Sequence, residues 1–240
     1  MSMKLKILAM IIIFSQLWGG NSAQAANPAA VRRLLETNEC PGCDLTEANL
    51  YNANLIGANL AGANLEGANL STVNLAVANL KGANLIGANL FKTKMNDANL
   101  SNADLTDAYL SQANLARAYL NGAKLENANM FAVNLSEALV KGANLSNTNL
   151  RQSFLFRSNL ENANLSESDL FNADLRYSNL NNADFSNANL AKAKLSETNI
   201  TLANLSGANL EQVNLRGTSI GPSLCSIRNV INCEPEKVLP

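Results

Sequence analysis

Large apolar residues return every five positions through most of the chain. In NLIGANLAGANLEGANL, residues 54 to 70, they are Leu55, Leu60, Leu65 and Leu70. A step of five fits neither regular structure. On an α-helix it turns each leucine about 140° from the last, so the leucines spiral around the whole surface. On an unbroken strand an odd step sends successive leucines to opposite faces. With i as the large apolar position, the register runs from Leu45 to Ile220 as 36 pentapeptides without an insertion or deletion. Where i is not leucine it is still apolar: Met95, Met130, Val140, Phe185, Ile200 and Ile220. Position i−2 holds Ala, Ser, Thr or Val, except Cys43 in the first repeat, and the other three positions are mostly Asn, Ser, Gly or charged.

Positions i−2 and i are two apart, so in extended backbone both point the same way. The polar and glycine residues between successive leucines favour turns and tolerate positive φ. A short extended piece with a corner at each fifth residue therefore keeps every i and i−2 side chain inside, and four corners close a square coil of about 20 residues. Thirty-six repeats make nine such coils, a rod on the order of 43 Å long at the usual inter-strand spacing. Tyr51, Phe91, Phe131 and Phe171 recur every 40 residues, which places them on one side of a 20-residue coil. A narrow interior has room for one large side chain per repeat. Leucine at Ala128 is therefore expected to be far more damaging than a charge at the outward-assigned Ser111.

The ends of a stacked rod need covers. PAAVRRLLET, residues 28 to 37, has Val31, Leu34 and Leu35 at helical spacing behind Pro28, and reads as a short helix over the first coil. After Ile220, GPSLCSIRNVINCEP breaks the repeat and supplies apolar residues for the other end. Before both lies a secretory signal pattern: basic MSMKLK, the apolar run ILAMIIIFSQLW, and Ala23-Gln24-Ala25 for cleavage. The expected divisions are a cleavable signal peptide at 1–25, a capping helix and turn at 26–42, the β-helix at 43–222 and a C-terminal cap at 223–240.

The four cysteines fall only at the two ends, and export favours oxidation. Cys225 with Cys233 is expected to fasten the C-terminal cap. Cys40 and Cys43 both have inward register, where a small disulfide and two buried thiols are both open readings. The CPGC motif that they form precedes an inward-facing repeat and not the helix start of a βαβ unit, so it reads as structural and not redox-active.

Histidine is absent, aromatics are 5% of residues and the net charge is −1, which argues against nucleic-acid binding. No cysteine is placed for nucleophilic work and no glycine-rich loop joins a strand to a helix, so neither catalysis nor a cofactor or metal is expected. No stretch after the signal is apolar enough to span a bilayer, and no stable membrane insertion is expected after cleavage. Any specificity then lies on the four outer walls. The wall around Leu45 and each twentieth residue after carries Asp44, Glu47, Glu66, Asp104, Asp107, Glu126, Glu167 and Asp184 against Lys124, a net of −7. The opposite wall, around Leu55, has Lys94, Arg117, Arg157, Arg176, Lys194 and Arg216 against Asp97, Glu137, Asp174 and Glu197, a net of +2. A candidate docking surface bears Tyr51, Phe91, Tyr109, Phe131 and Phe171, flanked on the neighbouring wall by Phe154, Phe156 and Tyr177.

The A(N/D)LXX repeats of residues 43 to 220 resemble the pentapeptide-repeat family. The resemblance implies an all-β fold, a right-handed quadrilateral β-helix (solenoid). CPGCDLTEANL ahead of an unbroken array, behind a signal peptide, is similar to exported cyanobacterial members and their plant thylakoid-lumen relatives. That likeness implies a periplasmic or thylakoid-lumen location. The function expected is a non-enzymatic scaffold or interaction module for an unknown protein partner, of unknown oligomeric state. The alternative is a DNA-mimicking topoisomerase inhibitor, as some cytosolic members of the family are. The acidic wall suits it, while the signal peptide and modest charge weigh against it.

Overall fold

The computed structural model describes residues 26–219. The expected signal segment, the last apolar position Ile220, and the expected C-terminal cap with Cys225 and Cys233 lie outside the described residues.

Each pentad is built alike. At the first leucine of the array the Leu45 carbonyl accepts the Ala48 N–H at 3.0 Å across a turn whose central residues are Thr46 and Glu47. Glu47 has φ 56°, the left-handed value that a type II turn needs at its second central residue. The residue before each leucine then pairs in parallel with its equivalent 20 residues on, from Glu39 with Asn59 to Asn199 with Ser219. A turn every five residues and a parallel bridge every 20 make a coil with four sides. The spacing is carried by backbone: the Leu45 amide donates to the Asn64 carbonyl at 2.7 Å, and the Asn64 amide donates to the Cys43 carbonyl at 2.9 Å.

The interior is the one the periodicity demands. Leu110 and Leu165 are fully buried, as are nearly all i and i−2 side chains through the array. Phe185 takes an inward position without surfacing. Polar residues at i−2 are buried as well. The Ser153, Ser158, Ser168 and Thr198 hydroxyls each donate to the carbonyl three residues back, which already accepts the turn N–H. A buried hydroxyl left unpaired would be costly, and here none of these four is.

Helix α1, Pro28–Thr37, stands before the first coil. Asn27 caps it, its side-chain oxygen accepting from Ala29 and Ala30 N–H, and Asn38 ends it in the left-handed region. Ala30 and Leu34 are buried, and Val31 and Leu35 pack against the core, so α1 covers leucines that the first coil would otherwise show to water. The first bridge, at Glu39, lies one pentad before residue 43, because Cys40 is buried in an inward position like the leucines. Cys40 and Cys43 are joined, with Cα atoms 5.2 Å apart. The Cys40 sulfur sits 3.4 Å from the Ala30 carbonyl oxygen, so the bond lies directly beneath α1.

One outward assignment is corrected. Ser111 is only 3% exposed, and its hydroxyl donates to the Asn129 side chain at 3.0 Å. It shares a column with Phe91 and Phe131, one coil below and one above, and these bulky neighbours shade it from solvent.

Candidate interaction surface

The four walls are numbered by the leucine that opens each: Leu45 first, Leu50 second, Leu55 third and Leu60 fourth. Across most of them Asn or Asp stands just before the inward residue and does two jobs. Its side-chain oxygen accepts the N–H two residues on, as Asn134 does from Ser136 at 3.0 Å. Where it is Asn, its amide also donates to the equivalent side-chain oxygen one coil back, as Asn134 does to Asn114 at 3.1 Å. Tyr109, Tyr119, Leu139 and Phe154 occupy this same position and cannot accept the turn N–H. All four are exposed. At Tyr109, Tyr119 and Phe154 the scaffold forgoes that hydrogen bond and presents a large side chain to solvent, while at Leu139 the Lys141 N–H is taken instead by the Asn121 side-chain oxygen at 3.1 Å.

The structure divides the expected docking residues into two groups. On the second wall Tyr51 is 57% exposed and Tyr109 is exposed, while Phe91, Phe131 and Phe171 are half-buried. In the column that runs at 20-residue steps from Tyr51 to Ala191, the small residues Ser71, Ser111 and Ala191 alternate with the rings and are buried, and Arg151 stands between Phe131 and Phe171. Phe91 lies 5.9 Å from Tyr109, with the Lys92 ammonium 4.9 Å from its centroid. Phe171 lies between Arg151 at 4.6 Å and Lys192 at 5.4 Å.

The second group is a tighter cluster on the third wall. Phe156 and Tyr177 meet edge to face at 5.5 Å, and Arg157 lies over both rings. Arg176 sits 5.9 Å from Phe156 and is held by Asp174, with hydrogen bonds of 2.8 and 2.6 Å. Phe154 stands beside them at 51% exposure and Tyr177 is 53% exposed. Sequence reasoning missed the exposed Tyr119 and Leu139 on the fourth wall, although their departure from Asn at the bridge position was a readable signal. Ile56, Val77 and Leu202 are also exposed at corners.

The charged walls stand as follows. On the acidic first wall Lys124 is paired with Asp104 at 3.1 Å, so its one base is already engaged. Burial pushes the Asp104 carboxyl up, but the Thr106 hydroxyl and amide, with Lys124, outweigh it and hold the group below its ordinary value. The Thr46 hydroxyl and amide hold Asp44 down in the same way. Asn144 donates to one oxygen of Glu126 at 2.5 Å, and the other oxygen is buried without a partner. On the third wall Arg117 grips Asp97 through two bonds of 2.7 and 2.8 Å, which holds that carboxyl at about 2. Arg176 likewise holds Asp174 low. Among the described residues no group of three or more His, Cys, Asp or Glu could hold a metal ion, and no helix is long and apolar enough to cross a membrane.

The family model for pentapeptide repeats matches in eight copies between residues 40 and 217. No curated protein matches the chain significantly. Among solved structures, the chain is similar to HetL, a pentapeptide repeat protein involved in heterocyst differentiation regulation in the cyanobacterium Nostoc sp. strain PCC 7120. The identity is 30%, over 82% of this chain and 97% of that one, with a TM-score of 0.56. A second Nostoc pentapeptide repeat protein, alr5209, is 29% identical over 42% of this chain and 84% of its own, with a TM-score of 0.35. One from the Arabidopsis thaliana thylakoid lumen is 27% identical over 49% of this chain and 65% of its own, with a TM-score of 0.26. With the repeat matched along nearly all of the described residues, and a relative aligned end to end, the chain belongs to the pentapeptide repeat family.

Proposed function

We propose that this protein is a non-enzymatic, exported scaffold, a right-handed quadrilateral β-helix of about nine coils whose third wall docks a protein partner. The observation that carries the reading is the cluster of Phe154, Phe156, Arg157, Arg176 and Tyr177. Aromatic and arginine side chains are the usual anchors of interfaces. These are fixed on a wall whose backbone is bonded at every pentad, so little ordering is lost when a partner arrives. Phe154 adds weight because it stands where Asn would serve the coil better. A residue kept at some cost to the scaffold points to a use outside it.

Export rests on the N-terminal pattern of residues 1 to 25 and fits the joined Cys40 and Cys43, since an oxidising compartment preserves such a bond. The periplasm and the thylakoid lumen both meet that condition.

The test uses the chain recovered from its own cells. Its intact mass is expected to begin at Ala26, and in-cell crosslinking is expected to trap a defined partner. Phe154→Asn supplies an oxygen that can accept the Phe156 N–H and an amide that can donate to the Asn134 side chain, so the variant is expected to melt no lower than the native chain while losing that partner. An unprocessed N-terminus would refute export. The same crosslinked partner with Phe154→Asn, and with Tyr177→Ser, would refute the docking wall.

A further inference from the structure

The first and third walls are opposite sides of one rod, and their charges are periodic as well as opposite in sign. On the first wall the triplet Asp44, Glu47 and Glu66 recurs sixty residues on as Asp104, Asp107 and Glu126, with Glu167 sixty beyond Asp107. Sixty residues are three of the 20-residue coils, about 14 Å along the axis. On the third wall Lys94, Arg157 and Arg216 follow one another at 63 and 59 residues, the same three-coil step. Among the described residues none of these three cations is in an ion pair, and neither is Lys194 between the last two. Among the described residues of the first wall, Lys124–Asp104 is the one ion pair.

We infer that the third wall of one molecule receives the first wall of a second copy, so that the rods associate side by side. The complement to each surface is present on this same chain, in sign and in repeat. Because both series step by three coils, engaging one cation with one acidic cluster brings the remaining cations into register with the remaining clusters. The acidic wall suits the role sterically, since its other outward residues are mostly Asn, Ser and Gly, and the third wall's Phe154 and Tyr177 project from the facing side. The contact uses different surfaces on the two partners, so it does not close and produces rows. It rests on the reading of the rod as an interaction module and names a second copy as one occupant of its third wall.

Salt decides the first arm of the test. In a sedimentation series on the purified chain, the average mass is expected to rise with concentration at low salt. It should return to that of one chain at about 1 M salt, where the Debye length is roughly 3 Å. Arg157→Glu and Asp107→Lys place like charges across the contact, and each alone is expected to weaken association by about tenfold or more. Both substitutions use residue types that the same corner position of the pentad holds at positive φ elsewhere on the rod, glutamate at Glu137 on the third wall and lysine at Lys92 on the second. Mixing the two variants restores association, because the intact third wall of one meets the intact first wall of the other. Lys81→Glu, the same charge change on the fourth wall, leaves association unchanged. A single chain at low salt throughout, or association that both variants retain, would overturn the inference. So would a monomeric chain that needs Arg157 to bind anionic lipid vesicles, which would give the wall a lipid occupant. None of these outcomes touches the partner test with Phe154→Asn, so the two readings fail separately.

Discussion

At the scale of single residues, the corners are where this coil is most strained. Each needs one residue at positive φ, and glycine supplies only some of them, as at Gly57 and Gly62. Many of the rest are Asn, which tolerates the left-handed region through local hydrogen bonding. Val77 does not belong to either group: it is β-branched, has φ 61° and is 62% exposed, so no packing offsets the strain. Val77→Gly is expected to raise stability by about 1 kcal/mol, read as a higher midpoint in denaturant. The neighbouring corner at Asp97 offers a pH test. Its carboxyl sits at about 2, below the ordinary 3.8, because Arg117 holds the charged form. A depressed value adds stability above 3.8 and loses it as pH falls from there towards 2. Thermal melts should therefore show Asp97→Asn below the native chain at neutral pH, with the gap closing by about pH 2. A gap that persists in acid would mean that the pair is not its source.

At the scale of the element, much was legible because one side-chain period dictates both the turn and the inward face. Leucine at each fifth residue with alanine two before it leaves no other backbone in which both are dry, and Leu110, Leu165 and Ala128 lie inside as that logic requires. The helix over the first coil was legible too, from Pro28 at its start and from Val31, Leu34 and Leu35 at helical spacing, while its Asn27 cap was read only in the structure. What the sequence did not disclose depends on neighbours one coil away, 18 or 20 positions along the chain. Ser111 reads as outward from its own pentad and is buried by residues 20 away on either side. Arg151 reaches Asp169, 18 residues on, and Arg117 reaches back 20 to Asp97. The coil length predicts which residues are adjacent, but which rotamer joins them depends on side-chain crowding that no single pentad contains. The joining of Cys40 to Cys43 was open for the same reason, since it turns on how α1 settles over the first turn.

At the scale of the molecule, the rod is quasi-one-dimensional: each coil touches only the coils above and below it. Damage in one coil should therefore stay local before it becomes global. Ala128 tests this, since it is fully buried beside the inward Met130 and has no space to receive a larger side chain. Ala128→Leu is expected to cost about 1–3 kcal/mol through overpacking. Gln152→Lys, at an exposed corner where Lys92 and Lys192 already show that lysine is accepted, should stay within about 0.5 kcal/mol. Hydrogen exchange separates local from global effects. In Ala128→Leu the amides that bridge to the coils on either side, such as Asn129 to Ala108 and Asn149 to Ala128, should lose protection first. Amides near Leu50 and Leu190 should keep theirs until the whole rod opens. Uniform loss along the chain would show a single cooperative unit, and the walls would then act as one rigid body in binding. Confined loss would make each coil a separable ledge, and a partner could then be lost from one wall segment without the rod itself failing.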